Sequence, residues 1–179
     1  YENTAGFNQR GTPTMVIAYT TDNPDKQVQC IAHSLDNGRT FTKYPGNTIT
    51  DFKHRWNSKD TRNPEVFWYA PNSLWVLVRN ERDGCSIYTS CDLTTRNYES
   101  HLKGFCACPE RMEFPVGGKP DHTKWVMYGL FSTYMIGSFD EKVFTPESGK
   151  HRYPTGALLP RKHSITCLIA AAFKSHGYA

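Results

Sequence analysis

The strongest constraint on the fold is an internal repeat with a period of about fifty residues. An apolar segment followed by Ser-x-Asp, a turn and then Phe or Tyr occurs three times, with its serines at Ser34, Ser90 and Ser138. These serines lie 56 and 48 residues apart. The Asp-Asn-Gly sequence at 36–38 is typical of a tight turn between two strands. We therefore expect a hairpin turn at 36–38, between the last two strands of its unit.

A second element recurs with a similar spacing. Asn63-Pro64-Glu65 and Cys108-Pro109-Glu110 lie 45 residues apart, and each precedes a Trp-Val pair, at 75–76 and at 125–126. A period near fifty with about four short strands per unit is typical of propeller blades. We expect the X-Pro-Glu strand innermost in each unit, then the Trp-Val strand, the Ser-x-Asp strand and a Phe-Thr outer edge. The predicted blades are residues 1–50, 51–103 and 104–156.

The secondary structure is predicted to be β almost throughout. Short runs rich in β-branched and aromatic residues are bounded by Asn, Asp, Gly and Pro, and no helical period continues for more than about two turns before the tail. The predicted fold is therefore all-β, with about three blades of four-stranded antiparallel sheet. Propellers close with about four to eight blades, so three make a partial propeller. An ordinary β-sandwich is the alternative, and the repeat argues against it.

Composition argues against several kinds of partner. The chain has 21 Lys and Arg against 17 Asp and Glu, a net charge of +4, and no long basic block, so we expect no nucleic-acid partner. It has no apolar run of about 18 residues, so we expect no membrane span. Six cysteines are too few for a disulfide-built scaffold, and the Cys106-Ala107-Cys108 spacing does not suit a zinc site. We expect buried free thiols and no metal.

A series of segments with distinctive sequences follows the blade spacing. They are Asn3–Phe7, Gln29–Phe41, Lys43–Asn47, Asp60–Trp68, Cys108–Val116, and Tyr134–Asp140 with Phe144–Glu147. Together they resemble glycoside hydrolase family 32, the invertase, inulinase and levanase group, which is built on a five-bladed β-propeller. The likeness extends from Asn3 to about Gly156.

The resemblance implies retaining hydrolysis of β-fructosidic bonds in sucrose, inulin or levan, without a cofactor. It implies a carbohydrate partner and, for the family, a secreted or periplasmic location. Such chemistry needs a nucleophilic carboxylate and a second carboxyl group that serves as acid and base. The family adds an aspartate, in an Arg-Asp-Pro motif, that grips the fructose hydroxyls and stabilises the transition state.

This chain departs from the family pattern at all three positions. The family's Asn-Asp-Pro-Asn motif, which carries the nucleophile, would lie before Tyr1. The Arg-Asp-Pro motif reads Arg62-Asn63-Pro64, and the Glu-Cys-Pro motif of the acid/base reads Ala107-Cys108-Pro109. Asn63 thus stands at the position of the transition-state stabiliser and Ala107 at that of the acid/base.

The remaining acidic residues nearby are poor substitutes. On a strand, Glu110 would point to the opposite face from Ala107, and Glu113 would lie roughly 20 Å farther along. A missing general acid costs about 10²–10⁴-fold in rate, so we expect impaired or absent hydrolysis. Binding could outlast catalysis, through the candidate substrate-binding residues Arg62, Asn63, Cys108 and Trp56. The structural alternative makes Arg62 an ion-pair partner between blades and Cys108 a small buried hydrophobe.

Three interpretations of the chain stay open. It is a catalytically impaired member of the family, a lectin-like module that binds fructan through Arg62, Asn63 and aromatics such as Trp56 and Trp68, or an incomplete product without a function of its own. Open blade flanks predict self-association.

Both ends of the chain also depart from the family pattern. The start at Tyr1, without Met or a signal-peptide pattern, indicates a processed or truncated chain. Residues 157–179 form a divergent tail, for which a reading-frame shift or a degenerate gene is our hypothesis.

Overall fold

The computed structural model describes residues 14–22, 27–47, 60–105, 110–117, 119–129 and 133–152. These residues form twelve strands and one short 3₁₀ turn, Ala70–Asn72. The strands make three antiparallel sheets. The prediction of an all-β fold is therefore confirmed for the described part of the chain.

Sheets A and B lie in the first of two compact units, which comprises residues 1–109 with 141–143. Sheet A has the order β1-β2-β3 and sheet B the order β4-β5-β6-β7. The strands of sheet A are β1 Met15–Asp22, β2 Gln27–Ser34 and β3 Thr42–Lys43. Those of sheet B are β4 Thr61–Tyr69, β5 Leu74–Glu81, β6 Gly84–Ser90 and β7 Asn97–Lys103.

Sheet C lies in the second unit, which comprises residues 110–140 with 144–179. Its order is β8-β9-β10-β11, and the two-residue strand β12 also pairs with β10. The strands are β8 Glu110–Val116, β9 Lys119–Gly129, β10 Thr133–Phe139, β11 Phe144–Pro146 and β12 His151–Arg152.

The predicted order of strands is confirmed in sheets B and C. In sheet B the Asn63-Pro64-Glu65 segment lies in the first strand, and in sheet C the first strand begins at Glu110. In both sheets the Trp-Val pair lies in the second strand, the Ser-x-Asp serine lies in the third, and a fourth strand (β7 or β11) follows at the edge. In sheet A, β1 is the edge strand among the described residues, and it pairs with β2 over its whole length.

Each unit has its own apolar core. Sheets A and B pack through Ile31, Trp75 and Leu93, with Val16, Tyr44, Val66 and Trp68 around them. Sheet C buries Val116, Val126, Tyr134 and Ile136. Strands β5 and β6 are buried on both faces, which explains why β5 begins as a continuous apolar run instead of an alternating one.

The Ser-x-Asp repeat is a repeated turn. Ser34 Oγ donates to Asp36 Oδ1 at 2.7 Å, and Asp36 Oδ1 accepts from the backbone N–H groups of Arg39 and Thr40 at 3.0 and 2.9 Å. Ser90 and Asp92 make the same contacts, with Thr94 and Thr95 as donors. Because short polar side chains replace missing ladder bonds, this motif closes the turns after β2 and β6.

The residue after each Asp of the repeat adopts the left-handed backbone conformation. Its φ is 59° at Asn37, 65° at Leu93 and 67° at Glu141. Gly38 follows Asn37 with a φ of 83°, so the predicted turn at 36–38 is confirmed. Leucine and glutamate are unfavourable in this conformation, whereas asparagine tolerates it. The repeat therefore conserves the backbone shape of the turn and leaves this side chain variable.

The turn should make the stability of the protein depend on pH. Hydrogen bonds from Ser34 and Thr40 hold the pKa of Asp36 well below its ordinary value of 3.8. A carboxylate whose pKa falls on folding stabilises the folded state above its unfolded pKa, and this contribution is lost as the pH falls further.

We expect the melting temperature to drop as the pH is lowered below about 4, and the Asp36→Asn variant to show a smaller drop. Melting curves across this range provide the measurement. Because the Asn side chain cannot accept all the same bonds, the variant should also melt lower at neutral pH. Equal acid sensitivity in both proteins would contradict the assignment.

Candidate functional site

The Arg62-Asn63-Pro64 segment forms a bulge at the start of β4. Arg62 pairs with Asn80 and Glu65 with Val78, so Asn63 and Pro64 together oppose Arg79. Asn63 has a φ of 56°, in the left-handed region that asparagine tolerates better than most residues. Proline has no N–H for the ladder, which also favours a bulge here. Bulges redirect side chains and occur often beside active sites.

Sheet A holds the residue before this bulge through three hydrogen bonds. The buried Gln29 donates from Nε2 to the Thr61 carbonyl at 2.6 Å. Thr61 Oγ1 donates to the Gln27 carbonyl at 2.6 Å, and the Thr61 N–H donates to Gln27 Oε1 at 3.2 Å. All three hydrogen-bonding groups of Thr61 are therefore engaged by one strand of the neighbouring sheet. The start of β4, and with it Asn63, is tied to sheet A.

Arg62 and Asn63 differ in exposure. Arg62 is exposed, and its Nε lies 3.0 Å from Asp60 Oδ1 in an ion pair whose two side chains are 49% and 44% exposed. Such a pair contributes at most about 1 kcal/mol. Asn63 is half-buried. The ion pair of Arg62 is thus local, with a residue two positions away.

A buried charged cluster lies on β5 and β6 behind the bulge. Arg79 and Glu81 are fully buried and form an ion pair. Tyr88 Oη donates to Glu81 Oε2 at 2.7 Å, and the Arg79 guanidinium lies 4.9 Å from the centre of the Tyr88 ring. Burial raises the pKa of Tyr88, which stays protonated and acts as a donor. Burial and the nearby Arg79 charge lower the pKa of Arg96 to about 10.

The chain leaves sheet B at the end where Asn63 lies. At this end the four strands are aligned in register, one residue from each, at Thr61, Glu81, Gly84 and Lys103. Immediately after β7, the Gly104 N–H donates to the Asp83 carbonyl at 2.7 Å, and Cys85 Sγ donates to the carbonyl of the buried Phe105 at 2.9 Å. Phe105 precedes the Ala107-Cys108 motif by two residues.

The structure describes only part of the predicted site. Ala107, Cys108 and Trp56 lie outside the described residues, so their roles remain predictions. Arg62 and Asn63 are adjacent at the bulge. Trp68 lies roughly 15 Å farther along β4, in edge-to-face contact with Trp75 in the core. The structure therefore does not bring Trp68 to Asn63.

The described residues also show where three of the cysteines and Glu113 lie. Cys30 and Cys85 are buried free thiols as predicted, but Cys91 is exposed, because it lies in the turn after β6. Glu113 is exposed on β8 and accepts a hydrogen bond from Thr123 at 2.6 Å. No group of three His, Cys, Asp or Glu side chains in the described ranges is placed to hold a metal ion. No helix in the same ranges is long and apolar enough to cross a membrane.

A Ser–His–Asp series of contacts occurs at this end of sheet B as well. Ser86 Oγ is 2.9 Å from His101 Nδ1, and His101 Nε2 is 3.1 Å from Asp83 Oδ1. The contact with His101 helps to hold the pKa of Asp83 below its ordinary value. A nucleophilic serine must reach its substrate, but Ser86 is fully buried. The three residues therefore fasten β6, β7 and the turn between β5 and β6, and do not form a hydrolytic triad.

Comparisons with known proteins agree with this architecture. Residues 4–158 match the model of the glycosyl hydrolases family 32 N-terminal domain. The chain belongs to glycosyl hydrolase family 32. The resemblance noted in the sequence is confirmed, and so is the partial propeller fold that it implied, since the family 32 enzymes of known structure that it resembles are five-bladed propellers.

Relatives and solved structures of family 32 enzymes cover most of the chain. A levanase of Bacillus subtilis is 37% identical over 163 residues, which are 82% of this chain and 24% of the levanase. Invertase 2 of Saccharomyces cerevisiae is 34% identical over 161 residues, or 78% of this chain and 30% of the invertase. The matched part of the chain thus spans 24% and 30% of the lengths of these two relatives.

Two solved structures extend the comparison. A fructofuranosidase of Schwanniomyces occidentalis in complex with fructose has a TM-score of 0.74 at 30% identity, over 86% of this chain and 33% of that one. An exo-inulinase of Aspergillus awamori has a TM-score of 0.69 at 28% identity, over 82% and 35%.

The Gln27–Gln29–Thr61 contacts and the Arg79–Glu81 pair are features that the sequence analysis missed. Gln29 lies within a segment that carries the family resemblance, but its partner is 32 residues away. Arg79 and Glu81 are two residues apart in a strand, which places both side chains on one face. This two-residue spacing in the sequence could have indicated that Arg79 and Glu81 form an ion pair.

Gln29 should contribute measurably to stability. In the Gln29→Leu variant the buried Thr61 carbonyl loses its donor, and an unsatisfied buried group costs about 1–3 kcal/mol. Urea unfolding should show this loss. Thr21→Val is the control in the same sheet, because Thr21 Oγ1 donates at 3.4 Å to Cys30 Sγ, a weak acceptor whose loss of a donor should cost less than about 1 kcal/mol. Equal losses in the two variants would mean that the Thr61 contact is not the important one.

Proposed function

We propose that this chain is part of a family 32 propeller that binds fructosyl groups at Asn63 and Arg62 and is impaired in hydrolysis. The observation that carries the proposal is the bulge, which holds an Arg-Asn-Pro sequence where the family has Arg-Asp-Pro. The fructose complex of the Schwanniomyces occidentalis relative supports a sugar ligand.

The chemistry of the two substitutions separates binding from catalysis. The Asn63 amide donates and accepts hydrogen bonds with sugar hydroxyls, as a carboxylate accepts them. It carries no negative charge, so it cannot offset the positive charge that develops at the anomeric carbon in the transition state. Ala107 offers a methyl group where an acid would protonate the leaving oxygen. Both changes therefore weaken binding of the sugar in the ground state less than they lower the rate of hydrolysis.

Sugar binding is the measurable consequence. We expect fructose, sucrose, inulin or levan to bind in a calorimetric titration, and the Asn63→Gly variant to bind about three- to tenfold more weakly, the loss of one net hydrogen bond. Glycine is the suitable replacement because it keeps the left-handed backbone. Asn72→Gly is the control, since Asn72 is exposed beyond the far end of β4. Equal affinity in both variants would contradict the role of Asn63, and no binding at all would favour an incomplete product.

Hydrolysis is tested in parallel by reducing-sugar release. No release above the buffer blank is expected, and turnover above roughly 1 s⁻¹ would contradict the proposal.

In a fusion that supplies the remaining blades of a family member, Asn63→Asp and Ala107→Glu together should restore activity, whereas either change alone should not. A well-folded, inactive double variant would show that these residues are not at the catalytic positions.

We also propose that the chain self-associates through sheet A. Met15, Ile17, Leu35 and Phe41 are large apolar residues on this sheet and its connection 35–41, and they are between 38% and 50% exposed. Exposed apolar groups beside an edge strand favour association.

Light scattering over a concentration series should show a mass that rises with concentration. The Ile17→Lys variant should lower this mass, whereas Val143→Lys, at another exposed apolar residue, should not. A single monomer peak at every concentration would contradict the proposal.

A further inference from the structure

Asn37 and Gly38 form a reactive pair in the connection between β2 and β3. They are the single Asn-Gly pair in the sequence. Asn37 is exposed, and both residues have left-handed backbones, with φ values of 59° and 83°. Glycine lacks the side chain that would hinder attack by its own backbone nitrogen on the preceding amide. The site is therefore open to water and chemically suited to deamidation.

We propose that Asn37 is a deamidation site whose rate in the folded protein is set by the hydrogen bond from the Gly38 N–H to Ser34 Oγ. The Gly38 nitrogen attacks Asn37 Cγ, a nitrogen–carbon bond forms, and the bond from Cγ to Nδ2 breaks. Ammonia leaves with the proton of the Gly38 amide, and a cyclic succinimide remains. Water then opens either carbonyl to give aspartate or isoaspartate, so the net reaction consumes one water and releases one ammonia.

The turn geometry holds the attacking nitrogen away from this reaction. The Gly38 N–H donates to Ser34 Oγ at 2.8 Å, and Ser34 is only 2% exposed. The same Ser34 hydroxyl donates to Asp36 Oδ1, which in turn accepts from the backbone on the far side of Asn37. The Gly38 nitrogen must leave Ser34 before it can turn toward the Asn37 side chain. Ser34 is therefore the residue that slows the reaction.

The other two repeats of the turn provide an internal comparison. Leu93 and Glu141 occupy the position of Asn37, with φ values of 65° and 67°. Neither can form a succinimide by loss of ammonia, and neither precedes a glycine. The same turn thus carries the reactive pair only in sheet A. The product would add a negative charge beside Asp36, and isoaspartate would lengthen the backbone within a turn that is closed by six hydrogen bonds of the Ser34 and Asp36 side chains.

The experiment follows deamidation in the full chain by peptide mapping with mass spectrometry and an isoaspartate assay, in mildly alkaline buffer with and without denaturant. The native protein should react more slowly than the denatured one. Ser34→Ala should speed the native reaction by between about twofold and about tenfold, the factor that one net hydrogen bond supplies. Ser34→Thr, which keeps the hydroxyl, should retain most of the protection.

Matched variants make the result decisive. Ser90→Ala removes the equivalent serine in sheet B and should leave the Asn37 rate unchanged, while Asn37→Asp should yield no succinimide from loss of ammonia. Hydrogen exchange in the unmodified protein must show a protected Gly38 amide, and this measurement stands even if Ser34→Ala unfolds. Equal rates in the native and denatured chains, an unprotected Gly38 amide, or a folded Ser34→Ala variant that reacts no faster would each overturn the proposal.

Discussion

The placement of the candidate site depends on the hydrogen bond from Gln29 to the Thr61 carbonyl. A β-bulge can redirect a side chain only if the strand around it is held in place. Here the hold comes from the neighbouring sheet, because Gln27 and Gln29 engage the N–H, the carbonyl and the hydroxyl of Thr61. Gln29 and Thr61 are buried, so water does not compete for the bond between them, and that bond is costly to break. Strands β2 and β4, which belong to different sheets, thus together hold Asn63 in position.

Much of the fold follows from local signals in the sequence. The strand order of sheets B and C could be predicted because the short apolar runs bounded by turn residues, the Trp-Val pairs and the Ser-x-Asp turns each depend on neighbours along the chain. The Gln29–Thr61 contact could not, since it depends on how two sheets pack and its partners are 32 residues apart. Arg79 and Glu81 would ordinarily be assigned to the surface, because charged residues are rarely buried unless they are paired. Only the packing of β5 between its neighbours on both faces reveals their burial.

At the candidate site, the backbone shape of the bulge and the charge of the side chain at position 63 are separate requirements. The backbone of the Arg-Asn-Pro bulge is compatible with aspartate, asparagine or glycine at position 63, so the loss of charge there needs no change in the fold. Electrostatic stabilisation of a transition state depends on that charge, whereas the left-handed corner depends only on a short side chain. The backbone of the bulge therefore does not itself require a charged residue at position 63.

The buried pair of Arg79 and Glu81 restricts how this sheet can evolve. If either residue changes alone, the other becomes an uncompensated charge in the protein interior, which is strongly destabilising. Replacement of both by apolar residues of similar size is tolerated far better, yet it requires two substitutions at once. The single-step routes between these two states therefore pass through poorly folded intermediates. Arg79 and Glu81 are therefore expected to change together or not at all.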